Sequence, residues 1–178
     1  MGYKYDRDEL LGAAVLMAYD EGLSRLTFGK LARRLGIHDR AIVYYFPTKN
    51  ELIAETAFAI GAEFQAVLAE AFGDEPLAPD ELGRRAWPVL SAADAEPVLA
   101  VFFEVVGLGA ARISPFDELA PALIEGWIDW LGPRIDAEEP EAAAEALIAQ
   151  LDGLLLLRTV LGDDRGELGA RALGLAES

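Results

Sequence analysis

Apolar residues recur every three or four positions along most of this chain, a spacing that predicts α-helices with one apolar side. Glycines and prolines interrupt this spacing and mark the predicted helix ends. Residues 98–106 have the composition of a buried strand. We interpret them as a helix because the stretch is longer than a typical strand and lies between helical patterns. The sequence therefore predicts an all-α protein of about nine helices.

Two short amphipathic helices flank a glycine turn in residues 27–49. Thr27 is a suitable N-cap for the first helix, because its side-chain oxygen can accept a hydrogen bond from a backbone N–H of the first turn. Gly36 follows the last apolar residue of that helix and can adopt the positive φ that a chain reversal requires. Ile37 would fill the corner between the two helices. The pattern predicts a helix-turn-helix.

The second of these helices, from about His38 to Tyr45, should have two different sides. Ile42 and Phe46 are four residues apart and would be buried together. Arg40 and Tyr44 would then lie on the opposite side of the helix. In a helix-turn-helix that side enters the major groove of DNA, so the segment indicates a DNA-binding protein.

The order of these features resembles the N-terminal DNA-binding domain of the tetracycline-repressor (TetR) family of transcriptional regulators. The family pattern starts with an amphipathic helix that ends in glycine, here residues 9–22, followed by a Thr-capped helix and a turn like residues 35–37 (Leu-Gly-Ile). It ends with an aromatic-rich recognition helix and a Phe-Pro-(Ser/Thr)-Lys-x-x-Leu run, here residues 46–52. The resemblance covers roughly residues 6–60.

The resemblance implies a division of the chain into two domains. Residues 1–50 would form a three-helix, helix-turn-helix DNA-binding domain, linked through a helix at residues 48–72. Residues 51–178 would form a helical regulatory, ligand-binding and dimerisation domain. A protein of this kind is most often a repressor that binds a palindromic operator as a homodimer and is released by a small-molecule effector. The alternative is a helical protein that binds a small molecule or partner and has no DNA-binding activity.

Matching positions in the family assign roles to residues of the helix-turn-helix. The residues expected to contact bases are Asp39, Arg40, Ala41 and Tyr44. Those expected to contact phosphates are Thr27, Tyr45 and Lys49. The recognition helix departs from the family pattern at four positions. The family often has Ser or Thr at the position of His38 and a basic or polar residue at that of Asp39. It often has a small residue at the position of Arg40 and Tyr at that of Val43. The operator sequence therefore does not follow from relatives.

The late helix at residues 141–161 is amphipathic in its first half and apolar on all sides at residues 154–157. Such a helix must be covered on more than one side. In the family, late helices form a four-helix bundle with a second subunit, so this segment is the expected centre of the dimer interface. The residues expected there are Leu147, Leu151, Leu155 and Arg158. The alternative is that it is the core helix of a monomer.

Aromatic residues concentrate in the middle helices, where a TetR-like protein would bind its small-molecule effector. The candidate pocket residues are Trp87, Phe102, Phe103, Phe116, Trp127 and Trp130. Aromatic residues at helical spacing are as often simply core. Glu104, Asp129 and Asp152 lie among apolar residues and could meet a polar or cationic ligand group, or face solvent.

Charge is distributed unevenly along the chain. Residues 1–50 hold eight Lys/Arg and six Asp/Glu, a net of +2, whereas the remaining residues hold seven and 25, a net of −18. An acidic protein normally binds DNA poorly, because affinity depends on neutralising phosphates. The excess of basic residues in the N-terminal part would nevertheless allow that part of the chain to bind DNA. The acidic remainder would lie away from the duplex, or serve only solubility.

Composition excludes several other classes of function. The chain has no cysteine and one histidine, so neither a histidine-based catalytic triad nor a His/Cys metal site can be assembled. It contains no phosphate-binding GxxxxGK motif. We therefore expect no enzyme activity, no cofactor and no metal. No uncharged apolar run reaches about 18 residues and no signal peptide precedes the first helix, so we expect a cytoplasmic protein without a membrane partner.

Overall fold

The computed structural model describes residues 6–176, and these form α-helices joined by short turns and 3-10 helices. The helices are α1 Arg7–Glu21, α2 Phe28–Leu35, α3 Asp39–Tyr45, α4 Lys49–Phe72, α5 Pro79–Leu90, α6 Glu96–Ala110, α7 Phe116–Leu131, α8 Pro140–Leu161 and α9 Asp163–Ala172. The prediction of an all-α fold of about nine helices is confirmed for the described residues.

The described chain divides into two compact units, each built from two stretches of sequence. The first unit contains the residues up to Phe64 together with Pro97–Leu123, and the second contains Gln65–Glu96 together with the residues from Ile124 onward. The predicted functional division at residue 50 stays a prediction, and the compact units do not separate at that residue. The physical reason is that α4 runs without interruption past that point and buries Leu52 in the core of the first unit.

The core of the first unit lies between the helix-turn-helix, α1, the first half of α4 and parts of α6 and α7. Its largest fully buried side chains are Leu10, Met17, Leu23, Leu26, Leu31, Ile42, Phe46, Leu52, Ile53 and Val105. A charge or a large void at any of these positions would remove contacts from several helices at once.

The second unit is organised around α8, which packs against α5 and α9. Two glycines allow close packing within this unit. The position that a Cβ on Gly83 would occupy lies 2.8 Å from Leu175 Cδ2, and that of Gly166 lies 2.6 Å from Arg158 Cβ. The loop before α5 is also fixed, because the Leu77 N–H donates to the Arg134 carbonyl at 2.9 Å.

Local sequence explains three of the helix boundaries. Pro121 lies inside α7 and does not end it, since a proline removes only one backbone hydrogen bond and the apolar sequence continues beyond it. The helix α5 ends at Leu90. The last helix begins at Asp163, because Gly162 with φ of +98° ends α8 and two aspartates then favour a new helix start.

Among the described residues, α4 is long and apolar enough to cross a membrane by length and composition alone. The core helices of soluble proteins meet the same criterion. Leu52, Ile53 and Ile60 of α4 are buried in the core of the first unit, which accounts for the apolar composition of that half.

Candidate nucleic-acid interface

Thr27 and Gly36 define the two ends of α2. The Thr27 hydroxyl oxygen accepts a hydrogen bond from the backbone N–H of Lys30 at 3.3 Å, which confirms the predicted N-cap. Gly36 has the left-handed conformation with φ of +64°, and the N–H of Ile37 donates to the Ala32 carbonyl at 3.0 Å. This turn ends α2 and directs the chain into α3.

One side of α3 is held in the core of the first unit. Ile42 and Phe46 are buried, as their spacing predicts. The Phe46 N–H donates to the Ile42 carbonyl at 2.9 Å and closes the last turn of the helix. The Arg7 guanidinium on α1 lies 5.4 Å from the centre of the Phe46 ring, within the range of a cation–π contact. Rotating α3 would expose these side chains, so its outer side is fixed.

The outer side of α3 is accessible to a partner. Asp39 and Arg40 are exposed, and Tyr44 exposes 68% of its surface. The Tyr44 ring meets the Tyr45 ring edge-on, with the ring centres 5.0 Å apart. Ala41 is half-buried. Three of the four residues expected to contact bases therefore lie on an exposed surface of one short helix.

The residues expected to contact phosphates lie at three helix ends around α3. Thr27 precedes α2, Tyr45 ends α3, and Lys49 begins α4. Thr27 and Tyr45 are half-buried, whereas Lys49 is exposed. The Thr27 oxygen serves as the cap, but its hydroxyl hydrogen can still donate a hydrogen bond.

A reciprocal cap fixes the start of α4 and with it Lys49. The Glu51 N–H donates to the Thr48 hydroxyl oxygen at 3.1 Å, and the Thr48 N–H donates to the Glu51 carboxylate at 3.2 Å. The sequence signal for this reciprocal cap is a Glu three residues after a Thr, as in Thr48 and Glu51.

Two cations of α2 are paired with carboxylates at the end of α1. Lys30 Nζ lies 2.8 Å from Glu21 and Arg34 Nη1 lies 2.7 Å from Asp20. The hydrogen bond from Lys30 is the main cause that lowers the pKa of the Glu21 carboxyl. Within residues 6–176, Arg40 forms no such ion pair and neither does Lys49. The basic residues nearest the exposed side of α3 are therefore available to an anionic partner.

The residues expected at the dimer interface lie within the second unit. Leu147, Leu151 and Leu155 are buried there in a single chain. The Arg158 side chain is only 10% exposed and its guanidinium lies 3.0 Å from Asp163. The exposed apolar side chains of α8 and the segment after it are different ones: Leu156, Leu157, Val160, Leu161, Leu168 and Leu173. A role in dimerisation for Leu147, Leu151, Leu155 and Arg158 stays a prediction. The contacts that the structure shows for these side chains are within the same chain.

The aromatic residues expected to line a ligand pocket fall in both units. In the first unit Phe116 is buried in the core, and the Phe102 and Phe103 ring centres lie 5.5 Å apart. In the second unit the Trp127 and Trp130 ring centres also lie 5.5 Å apart.

Two of these aromatic side chains have polar or charged partners within the second unit. The Trp87 indole N–H donates to the Glu167 carboxylate at 3.1 Å. The Arg134 guanidinium lies 4.1 Å from the centre of the Trp130 ring. The pocket itself stays a prediction.

Glu104 is one of the acids that were expected to meet a ligand or face solvent. Its carboxylate instead accepts hydrogen bonds from the backbone of Leu23 and from Ser24 in the turn between α1 and α2. Sequence spacing contains no signal for this contact, since about 80 residues separate its partners.

Comparison with known proteins agrees with this arrangement. Residues 10–56 match the family described as bacterial regulatory proteins, tetR family. No curated protein matches the chain.

Solved structures share the fold over nearly the whole chain. A TetR transcriptional regulator from Legionella pneumophila has a TM-score of 0.67 and 21% identity, covering 97% of this chain and 96% of that one. The multidrug binding protein EbrR in complex with proflavin has a TM-score of 0.67 and 23% identity, covering 96% of this chain and 99% of that one. SmeT, the repressor of the Stenotrophomonas maltophilia multidrug efflux pump SmeDEF, has a TM-score of 0.63 and 19% identity, covering 96% and 89%.

At these identities the solved structures establish the fold. The chain therefore has a TetR-like fold, and its residues 10–56 match the model of the tetR family of bacterial regulatory proteins.

Proposed function

We propose that this protein is a transcriptional regulator that binds double-stranded operator DNA as a homodimer, with α3 in the major groove. The main support is the arrangement of α3, whose inner side is fixed by Ile42 and Phe46 while Arg40 and Tyr44 extend from its outer side. In helix-turn-helix proteins the second helix contacts base edges and the first crosses the backbone. A dimer would place two copies in successive major grooves, about 34 to 36 Å apart, and so recognise a near-palindrome.

The exposed residues of α3 have the chemistry for base recognition. Arg40 can donate two hydrogen bonds to guanine, and Asp39 beside it can accept one from a cytosine amino group. Ala41 can contact a thymine methyl group, and the Tyr44 hydroxyl can donate or accept. These four residues would therefore determine which operator is preferred.

Phosphate contacts would come from the helix ends around α3. Thr27 and Tyr45 would donate hydroxyl hydrogen bonds, and Lys49 would neutralise one phosphate. The N-terminal ends of α2 and α4 add a partial positive charge. These contacts are independent of sequence, so they would supply affinity that falls as salt rises.

The homodimer would form through the exposed apolar side chains of α8 and the segment after it. Val160 exposes 68% of its surface and Leu161 59%, and Leu168 on α9 exposes 61%. Apolar side chains clustered at the surface mark interaction sites. This face adjoins the buried side of α8 that holds Leu147 and Leu151, so the proposed interface lies on the same helix as the predicted one but on another side of it.

A small molecule would control DNA binding. EbrR, which has the same fold, was solved with proflavin bound. An effector bound more tightly by the DNA-incompetent arrangement of the dimer would shift the population toward it and release the operator. We propose that the protein acts in this way as a repressor in the cytoplasm.

Selection from a pool of randomised duplexes, at a low and a moderate salt concentration, tests the proposal. Enrichment of an inverted repeat whose affinity falls steeply with salt is the expected result. The Tyr44→Ala variant is the matched control, because Tyr44 is exposed and its loss should weaken enrichment of the repeat while the protein stays folded. No enrichment by the wild type would contradict DNA recognition and favour a helical ligand- or partner-binding protein.

A further inference from the structure

Glu104 of α6 is bonded to the turn that joins α1 to α2. One carboxylate oxygen accepts the backbone N–H of Leu23 at 2.6 Å, and the other accepts the backbone N–H of Ser24 at 3.2 Å and the Ser24 hydroxyl at 2.5 Å. Three donors in two successive residues thus converge on a single side chain.

The chain around this contact is shaped to receive the carboxylate. Gly22 has φ of +91°, and a Cβ at that position would lie 3.0 Å from a Glu104 oxygen, tighter than ordinary contacts. Leu23 and Leu26 on either side of the turn are fully buried. The turn is therefore anchored by apolar side chains and held by Glu104 through its backbone.

The charge of Glu104 is balanced by hydrogen bonds alone. Glu104 is half-buried, and Val101 and Val105 on the same helix belong to the core of the first unit. Within residues 6–176 it has no Lys or Arg within ion-pair distance. A half-buried carboxylate without a cation is stable only if its hydrogen-bond donors are kept in place. Glu104 and the turn therefore constrain each other.

We propose that Glu104 is a positioning residue for the helix-turn-helix. Its carboxylate holds the α1–α2 turn against α6 and thereby sets where α2 and α3 lie for base contact. Thr27, the N-cap of α2, follows Ser24 by three residues, so a displacement of the turn moves the start of α2 directly. The proposal rests on the DNA-binding function proposed above.

Glu104→Gln is the informative variant, since an amide has one acceptor oxygen where the carboxylate has two and cannot satisfy all three donors. Ser24→Ala removes only the hydroxyl bond and serves as a milder second variant if Glu104→Gln folds poorly. Glu118→Gln is the matched control, because Glu118 is an exposed acid of the same unit on α7, and its change removes the same charge without breaking a hydrogen bond.

The ratio of affinities for the selected inverted repeat and for an unrelated duplex separates positioning from stability. Base contacts require α3 in its proper place, whereas phosphate contacts alone tolerate displacement. Glu104→Gln should lower this ratio by about three- to tenfold, the loss expected for about one hydrogen bond, and Ser24→Ala should lower it by less. Glu118→Gln should leave the ratio unchanged. An equal ratio in Glu104→Gln and Glu118→Gln would overturn the proposal.

Amide hydrogen exchange at Leu23 and Ser24 tests the contact without DNA. Both amides should exchange faster in Glu104→Gln than in the wild type and in Glu118→Gln, measured well below the unfolding temperature. Unchanged exchange would overturn the contact itself. A wild type that prefers no duplex would instead overturn the DNA-binding function, so the two failures are distinguishable.

Discussion

The Nη1 atom of Arg34 on α2 lies 2.7 Å from the carboxylate of Asp20, near the end of α1. Lys30, one turn earlier on α2, lies in the same way 2.8 Å from Glu21. Both pairs are at the surface, where such a contact contributes about 0 to 1 kcal/mol. In a helix-turn-helix the first helix crosses the DNA backbone. If the protein binds DNA as proposed, these carboxylates would compete with phosphates for the two cations.

Asp20→Asn should therefore raise affinity for all duplexes alike, by about twofold to fivefold, and steepen the salt dependence. Titrations against one operator and one unrelated duplex at several salt concentrations would measure both effects. Asp8→Asn is the matched control, because Asp8 is an exposed aspartate on the first turn of the same helix without a cation of α2 beside it. Equal affinities of the two variants would show that the pair with Arg34 does not limit DNA binding.

Alanine substitutions at Arg40 and at Lys49 should have different kinds of effect on DNA binding. Arg40→Ala should cost about 1 to 3 kcal/mol on the operator and relax the preference at one position of each half-site. Lys49→Ala should weaken binding to every sequence by a similar factor and flatten the salt dependence. A panel of operators with single base-pair changes distinguishes the two patterns. If Arg40→Ala weakened all of them uniformly, Arg40 would be a phosphate contact.

The helix-turn-helix follows closely from sequence because its signals are local. The Thr27 cap, the Gly36 turn and the burial of Ile42 and Phe46 each depend on residues within one or two turns of each other. Local hydrogen bonds and the helical period are sufficient to specify them.

The contacts that sequence did not predict join distant parts of the chain. Glu104 bonds to Leu23, a partner 81 residues away, and no spacing rule connects them. In α8 the apolar run at residues 154–157 gives no preferred side, so which leucines face the chain's own core depends on where other elements approach. Gly169 of α9 decides this in part, since the position of its missing Cβ lies 2.7 Å from Leu154 Cδ2.

Val160→Asp should convert the proposed dimer into a folded monomer. The side chain is 68% exposed on α8, so a charge there disturbs the proposed interface and leaves the core intact. Sedimentation velocity gives the oligomeric state and circular dichroism the helix content. Val67→Asp is the matched control, because Val67 is an exposed valine of the same unit on α4, 49% exposed. A Val160→Asp protein that sediments as a dimer would place the interface elsewhere.

Asp152 should make stability depend on pH. Burial raises the pKa of its carboxyl to about 6. In the unfolded chain the pKa would be about 4. At pH values between about 4 and about 6, the folded protein therefore keeps a proton that the unfolded chain releases. The free energy of unfolding should therefore fall as pH rises from about 4 to about 6, and the penalty should be complete above about pH 7.

Asp152→Asn removes this penalty and should raise the free energy of unfolding by about 1 to 3 kcal/mol at pH 8, with a smaller gain at pH 5. Urea unfolding at the two pH values measures the difference. Asp129→Asn, at an exposed position in the same unit, should change little at either pH. A gain for Asp152→Asn that is the same at pH 5 and pH 8 would show that the carboxyl is not held neutral by burial.

The most direct test of dimeric operator recognition compares the selected inverted repeat with the same duplex in which one half-site is scrambled. Fluorescence anisotropy at two salt concentrations would give the affinity of the wild-type protein for each. We predict that the intact repeat binds much more tightly, with two chains per duplex, and that both affinities fall as salt rises. Equal affinity for the intact and the scrambled duplex would contradict recognition of a palindrome by two copies of α3.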